Sequence, residues 1–413
     1  MIIIAGSVGN PFSKSRQNAS VTGNGEGVYT LVFDGKELKK KFVSHADNAS
    51  TLTVSDDQKT VYVANEVRNF TGLNGTGGGI TSYRVLENGS LEKLSDSISY
   101  GSRPAYVSLS ESGKYLLVAN HGSHSSVTCH YEQDYNGEWK LKREFDDSSV
   151  AVFKVEDDGS IGKLTDLLKM GGHGYWCHGG GQSTSHVHSV KMHHGYVYSC
   201  NRGADEIEVM KLNEKTGKLS LITKYHTRNA YAPRYLDFHP TLNLMYVLYE
   251  NYPAMSVFHC KDGILAEKQF IETKDYDYYL KYPLPEYQYT EAREDEENTC
   301  GMADRHRAMP ADIHITDDGK FLYVSNRCFE EDGTITCFRV KEDGTLEFME
   351  ELHLNGCDPR GFMISNDRKY LFAALLDKDT VEVYHIENNG RVIHKITEAE
   401  VNGVSSLLEY KAI

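Results

Sequence analysis

Short apolar runs recur along this chain, each entered through a Gly-Lys or similar polar pair and closed by an asparagine with a chargeable residue behind it. They read Lys59-Thr-Val-Tyr-Val-Ala-Asn65-Glu66, Gly113-Lys-Tyr-Leu-Leu-Val-Ala-Asn120-His121, Gly195-Tyr-Val-Tyr-Ser-Cys-Asn201-Arg202 and Gly319-Lys-Phe-Leu-Tyr-Val-Ser-Asn326-Arg327. Looser copies stand at 244–250 and 369–376, and Ile2-Ile-Ile-Ala-Gly-Ser7 makes a seventh. Bounded by turn residues and rich in β-branched and aromatic side chains, they read as strands, and almost no 3.6-residue periodicity competes with them. A second extended segment precedes each Asn-ending run, at 49–54, 105–109, 187–192, 233–238, 310–315 and 359–364. Behind each comes a hairpin, usually turned by Asn-Gly or Asp-Gly as at Asn88-Gly89, Asp158-Gly159, Asp262-Gly263, Asp343-Gly344 and Asn389-Gly390. That dipeptide supplies the positive φ of a tight turn.

The repeating unit is thus four antiparallel strands every 40 to 60 residues, roughly the period of a β-propeller, in which no blade buries its faces alone. The predicted class is all-β: a seven-bladed β-propeller occupying 1–413 as a single domain. The first blade lacks an inner strand before Ile2, while Val404–Tyr410 is a spare strand after the last. The C-terminal strand is therefore expected to pair with the N-terminal blade and close the ring, which removes its open edges. Two inserts interrupt the rhythm. Near 124–147 the strand Ser125–Tyr131 looks like a duplicate of Ser148–Lys154, which predicts an extra hairpin in the third blade. At 274–307, six tyrosines and the acidic run 291–297 predict a folded flap.

Charge and cysteine content narrow the partners. A formal net charge of -15 with no Lys/Arg-rich run argues against the basic face that a nucleic-acid backbone needs, so no nucleic acid is expected. The apolar opening before Gly6 is too short for a leader or a membrane span, which makes the cytoplasm the expected location with no membrane partner. Eight scattered cysteines with no Cys-x-x-Cys pair read as free thiols.

Antiparallel neighbours also say where chemistry collects. The start of each inner strand and the end of the Asn-ending strand beside it lie at the same rim, and every blade presents that rim to one face of the ring. Inner-strand starts supply His188, Arg234 and Arg360; Asn-strand ends supply Glu66, His121, Arg202, Glu250 and Arg327. The equivalent inner positions Ala105 and Ala311 are inert. Glu250 or His188 is a candidate general base, and the guanidinium groups suit an anion or a developing oxyanion. The repeated asparagines themselves read as turn caps. His173, His178, His186, His188, His193 and His194 crowd one region, and His186 and His188 share a strand face, but no spacing fixes the third ligand that zinc needs. No metal or cofactor is expected. The Gly77–Gly79 and Gly179–Gly181 runs open no helix after a strand and read as loops.

The segments Ala311–Arg327, His186-Val-His-Ser-Val190, Ala232-Pro-Arg-Tyr-Leu-Asp-Phe-His-Pro240 and Asp358-Pro-Arg-Gly361 resemble the seven-bladed propeller lactonases. These include the bacterial type of 6-phosphogluconolactonase and the fungal carboxy-cis,cis-muconate cyclase, and the similarity runs along the chain outside the two inserts. The resemblance implies a site histidine at His188, a paired arginine and glutamate at Arg234 and Glu250, and a further arginine at Arg327. It departs at Asn201-Arg-Gly203, where relatives usually carry Asp-Leu-Gly, and in the length of the Tyr-rich insert. The expected activity is a lactonase: a hydrolase opening a small anionic sugar-acid lactone such as 6-phosphogluconolactone. Glu250, His188 and Arg234 would act in catalysis, and Arg327, Arg202, His186, Arg360, His121 and Glu66 in substrate binding. Two alternatives stand beside it: a muconate-type intramolecular lyase in the same pocket, and a non-catalytic binding platform.

Overall fold

A computed structural model describes residues 1–9, 23–72, 75–123, 128–174, 181–281, 308–328 and 331–411. Asn74, His178, Gly179-Gly180 and most of the Tyr-rich insert, 282–307, lie outside them. Seven sheets of four antiparallel strands form the ring. Their inner strands, in order, are Val404–Tyr410, Ala49–Val54, Pro104–Leu109, Val187–His193, Pro233–Phe238, Met309–Ile315 and Pro359–Ile364, each packed against the next around the centre. We number the blades one to seven in that order. Blade one is closed as the spare strand suggests, with Ile2 opposite Tyr410 and Ser7 opposite Val404.

The Asn-ending strands are second in each blade, and their uninterrupted apolar runs follow from that position. Thr60–Asn65, Tyr115–Asn120 and Leu244–Tyr249 are buried at every residue because neighbouring blades cover both faces. The outermost strands, such as Leu38–His45, are mostly exposed and accordingly polar. Each pair of neighbouring blades shares one apolar cluster, as where Leu117 and Val150 of blade three meet Val190 and Met210 of blade four. Truncating a core leucine such as Leu117 to alanine removes about 2 to 5 kcal/mol.

The repeated asparagines are ties rather than turn caps. Asn65 Nδ2 donates to Asp47 O at 2.7 Å and Asn120 Nδ2 to Ser99 O at 3.0 Å, anchoring the crossover segment that leads into the same blade. In blade four His186 N donates to Asn201 Oδ1 at 2.9 Å. These buried amides hold the rim in place.

A second device aims side chains at the channel. In each blade the pairing register of the inner strand slips near its start, skipping the second residue in six blades (Ser50, Ala105, His188, Arg234, Arg360 and Ser405) and the third and fourth, Ala311 and Asp312, in blade six. A bulge leaves its residue outside the ladder and turns it away from the pleat. Three of these positions therefore carry His or Arg, while the others are small or, at Asp312, acidic.

The duplicated strand forms its own hairpin, Thr128–Gln133 with Trp139–Glu144, while Ser148–Val155 pairs within blade three. Of the 274–307 segment, Tyr276–Lys281 is a short helix, and Tyr278 OH accepts a hydrogen bond from Ala308 N at the far end of the insert.

Candidate active site

Glu250 follows the second strand of blade five and is buried among three guanidinium groups. Arg327 Nη2 donates to its Oε1 at 2.8 Å, Arg202 Nε lies 2.5 Å from Oε2, and Arg234 Nε lies 3.7 Å from Oε1. These arginines come from blades six, four and five. Backbone carbonyls fix all three further: Met309 O accepts from Arg327 Nε at 3.0 Å, Gly181 O accepts from Arg202 Nη1 at 3.3 Å, and Ala311 O accepts from Arg234 Nη1. Arg234 also lies over the Tyr235 ring, 4.3 Å from its centre. Burial alone would raise the Glu250 carboxyl pKa, but Arg202, Arg327 and Arg234 outweigh it and hold it well below the usual carboxylate range.

His188 stands beside this quartet on its bulge. Its ring meets those of His121 and Tyr235 edge-on at 5.2 and 5.4 Å. Burial first, and the Arg234 charge next, push its pKa well below the ordinary histidine value, so the imidazole is neutral at pH 7. Its Nδ1 is enclosed and has no hydrogen-bond partner among the described residues, and the same holds for Asn251 Nδ2, Asp358 Oδ1 and Ser50 Oγ. Orphaned buried polar atoms are rare in folded proteins, and several at one rim mark a place where a ligand's polar groups belong.

The remaining candidates fall around these. His186 stacks on His121 at 4.5 Å, and its Nδ1 pairs with His121 O at 2.9 Å, committing that nitrogen to the scaffold. Burial pushes the His186 pKa down to about 3. Arg360 is half-buried and makes no ion pair or hydrogen bond among the described residues, yet its charge reaches His188 and Arg327. Glu66 is buried, with its backbone tied to Asn48 and its charge acting on Arg234. All nine candidates thus occupy one mouth of the ring. Among the described residues no trio of His, Cys, Asp and Glu ligand atoms converges at this mouth.

Sequence reasoning passed over Arg103, Tyr106, Tyr235 and Asp358. Arg103 is buried before Pro104, and its charge reaches His186. Tyr106 and Tyr235, each one residue beyond its bulge, meet edge-on at 5.1 Å from blades three and five. The signal for Arg103 was present in Ser-Arg-Pro, an arginine beside the proline that opens an inner strand, as in Ala-Pro-Arg234 and Asp-Pro-Arg360. Five guanidinium groups (Arg103, Arg202, Arg234, Arg327, Arg360) therefore face four carboxylates (Glu66, Glu250, Asp312, Asp358), an excess of one positive charge on a chain of net charge -15.

Comparison with known proteins gives a consistent picture. A family model described as "Lactonase, 7-bladed beta-propeller" matches residues 15–407. A protein named 6-phosphogluconolactonase from Formosa agariphila is 26% identical, covering 93% of this chain and 95% of that one. The Bacillus subtilis protein of the same name is 25% identical over 85% of each. The solved structure of a periplasmic gluconolactonase from Pseudomonas aeruginosa shares the fold with a TM-score of 0.76 at 24% identity, covering 100% of this chain and 99% of its own.

Proposed function

The chain belongs to the seven-bladed β-propeller lactonase family, and from that premise we propose that it is a hydrolase opening an anionic sugar-acid lactone, with 6-phosphogluconolactone as the leading substrate. The observation that carries this reading is the excess of guanidinium over carboxylate around a neutral imidazole. An anionic ligand such as a phosphate ester suits this positive excess, whereas a neutral aldonolactone would leave it uncompensated. Arg360, with no partner among the described residues, is the group we assign to the substrate's remote anion. Ser50, Ala105 and Ser405 leave room on the opposite side of the channel, and the Ser50 hydroxyl suits a sugar hydroxyl.

In this reading His188 takes the proton from water as it attacks the ring carbonyl and returns it to the ring oxygen as the ring C–O bond breaks, because it starts neutral and its Nδ1 is unengaged. Glu250 holds Arg202, Arg234 and Arg327 in register, and Arg234 and Arg327 stabilise the oxyanion as the carbonyl becomes tetrahedral. The arginine charge, which adds to burial in depressing His188 in the free protein, is offset when the anion binds. Its basicity therefore rises when the substrate arrives.

The test is proton release from a panel of lactones, phosphorylated and not, with wild type, His188→Gln and Arg234→Ala. Each variant is expected to lose about a hundredfold or more in kcat, the usual size of a general-base or oxyanion contribution. Wild-type inactivity on every sugar-acid lactone would overturn the reading in favour of the lyase or binding alternatives.

A further inference from the structure

The opposite mouth of the ring holds a second cluster. Glu111, in the turn after the inner strand of blade three, meets His193 and His194 at the end of the inner strand of blade four, and one ligand atom from each lies within 4.8 Å of the others. We propose that Glu111, His193 and His194 form a binding site for a divalent transition-metal ion of the zinc type, which ties blades three and four together on the face away from the candidate active site.

Two imidazoles and a carboxylate are a donor set that zinc accepts, with the fourth position open to water. In sequence no spacing fixes a third ligand for the two histidines; the fold supplies one from the neighbouring blade. Glu111 is already oriented, because its Oε1 accepts from His194 N at 2.5 Å and its Oε2 from Gly195 N at 3.0 Å. Backbone donors of this kind fix a ligating carboxylate while leaving lone pairs for an ion. The turn carries His194 and Gly195 at φ of 51° and 80°, and it sets the two imidazole rings 3.9 Å apart. His193 is held from behind by Phe238, stacked at 4.2 Å, and its Nε2 is enclosed with no partner among the described residues. An unpartnered enclosed ring nitrogen has no packing purpose that a phenylalanine would not serve as well.

Calorimetric titration of metal-stripped full-length protein with Zn²⁺, and visible absorption with Co²⁺, test the site. One saturable equivalent is expected, with a tetrahedral cobalt spectrum and a melting temperature that rises with zinc. Glu111→Gln and His194→Asn, the latter chosen because asparagine tolerates positive φ, should each weaken binding at least tenfold and leave lactone turnover unchanged. His193→Phe keeps the stack on Phe238 and should abolish the cobalt spectrum. Absence of saturable binding at one equivalent, or equal binding by wild type and all three variants, overturns the proposal.

Discussion

Replacing Glu250 with glutamine keeps the shape of the side chain and removes the one charge that Arg202, Arg234 and Arg327 share. Removing one partner of a buried ion pair leaves the others uncompensated and costs about 3 to 5 kcal/mol. Unfolding entropy of about 2.1 cal/mol/K per residue gives about 0.9 kcal/mol/K for 413 residues, so the melting temperature should fall by about 3 to 6 °C. The pH dependence has a definite sign. The folded-state pKa of Glu250 lies below its unfolded value of about 4.3, so its contribution is complete above that pH and is lost as pH falls through the folded pKa. The gap between wild type and variant should therefore be constant from pH 5 to 8 and close in stronger acid. Sulfate should restore the variant more than the wild type, because an anion bound at a hundredfold over its Kd adds about 2.7 kcal/mol. Melts within a degree of each other at pH 7, with equal response to sulfate, would refute the ion-quartet account.

Other outcomes follow from the same geometry. The acid limb of kcat/KM should lie well below pH 6, since the depressed pKa values of His188 and Glu250 keep both groups deprotonated in the free protein; a half-maximum near 6.5 would remove His188 from the role of base. Arg360→Ala should raise KM for a phosphorylated lactone at least tenfold without lowering the melting temperature, as measured by initial rates and calorimetry; equal KM values would take Arg360 out of the binding site. A chelator should leave lactone hydrolysis unchanged, checked by proton release before and after metal stripping, because the proposed mechanism routes no step through an ion and the proposed metal cluster lies on the other face. Deleting Val404–Tyr410 should prevent recovery of a cooperatively folded protein, seen as loss of a sharp thermal transition, since Ile2–Ser7 then loses its inner partner.

Strand order was legible because a strand buried on both faces leaves an uninterrupted apolar run, and a propeller writes that run once per blade. The rim was legible because antiparallel pairing alone decides which strand ends meet. What escaped was set by features without a period. Whether Arg103 turns inward depends on a backbone with φ of 52°, and the Tyr106–Tyr235 contact joins blades that are not neighbours. Burial and mutual charge, rather than residue identity, determine that Glu250 is a fixed carboxylate and His188 a neutral imidazole. Turn chemistry was only partly readable. Asp262-Gly263 has positive φ at both residues, whereas in the Asn88, Asp158, Asp343 and Asn389 turns only the glycine does, with the loop closed by bonds such as Leu86 N to Ser90 O at 2.9 Å.

Ring closure joins strands about four hundred residues apart, and that separation orders events during synthesis. The strand Ile2–Ser7 is made about four hundred residues before its inner neighbour and waits for that length of chain to leave the ribosome. Until then three consecutive isoleucines border an unpaired edge, the kind of template on which nascent chains aggregate. Blades two to seven can form in sequence meanwhile, so the arginine-rich mouth is assembled on an open horseshoe. The interval before closure is the period in which that edge is open to pairing with another chain.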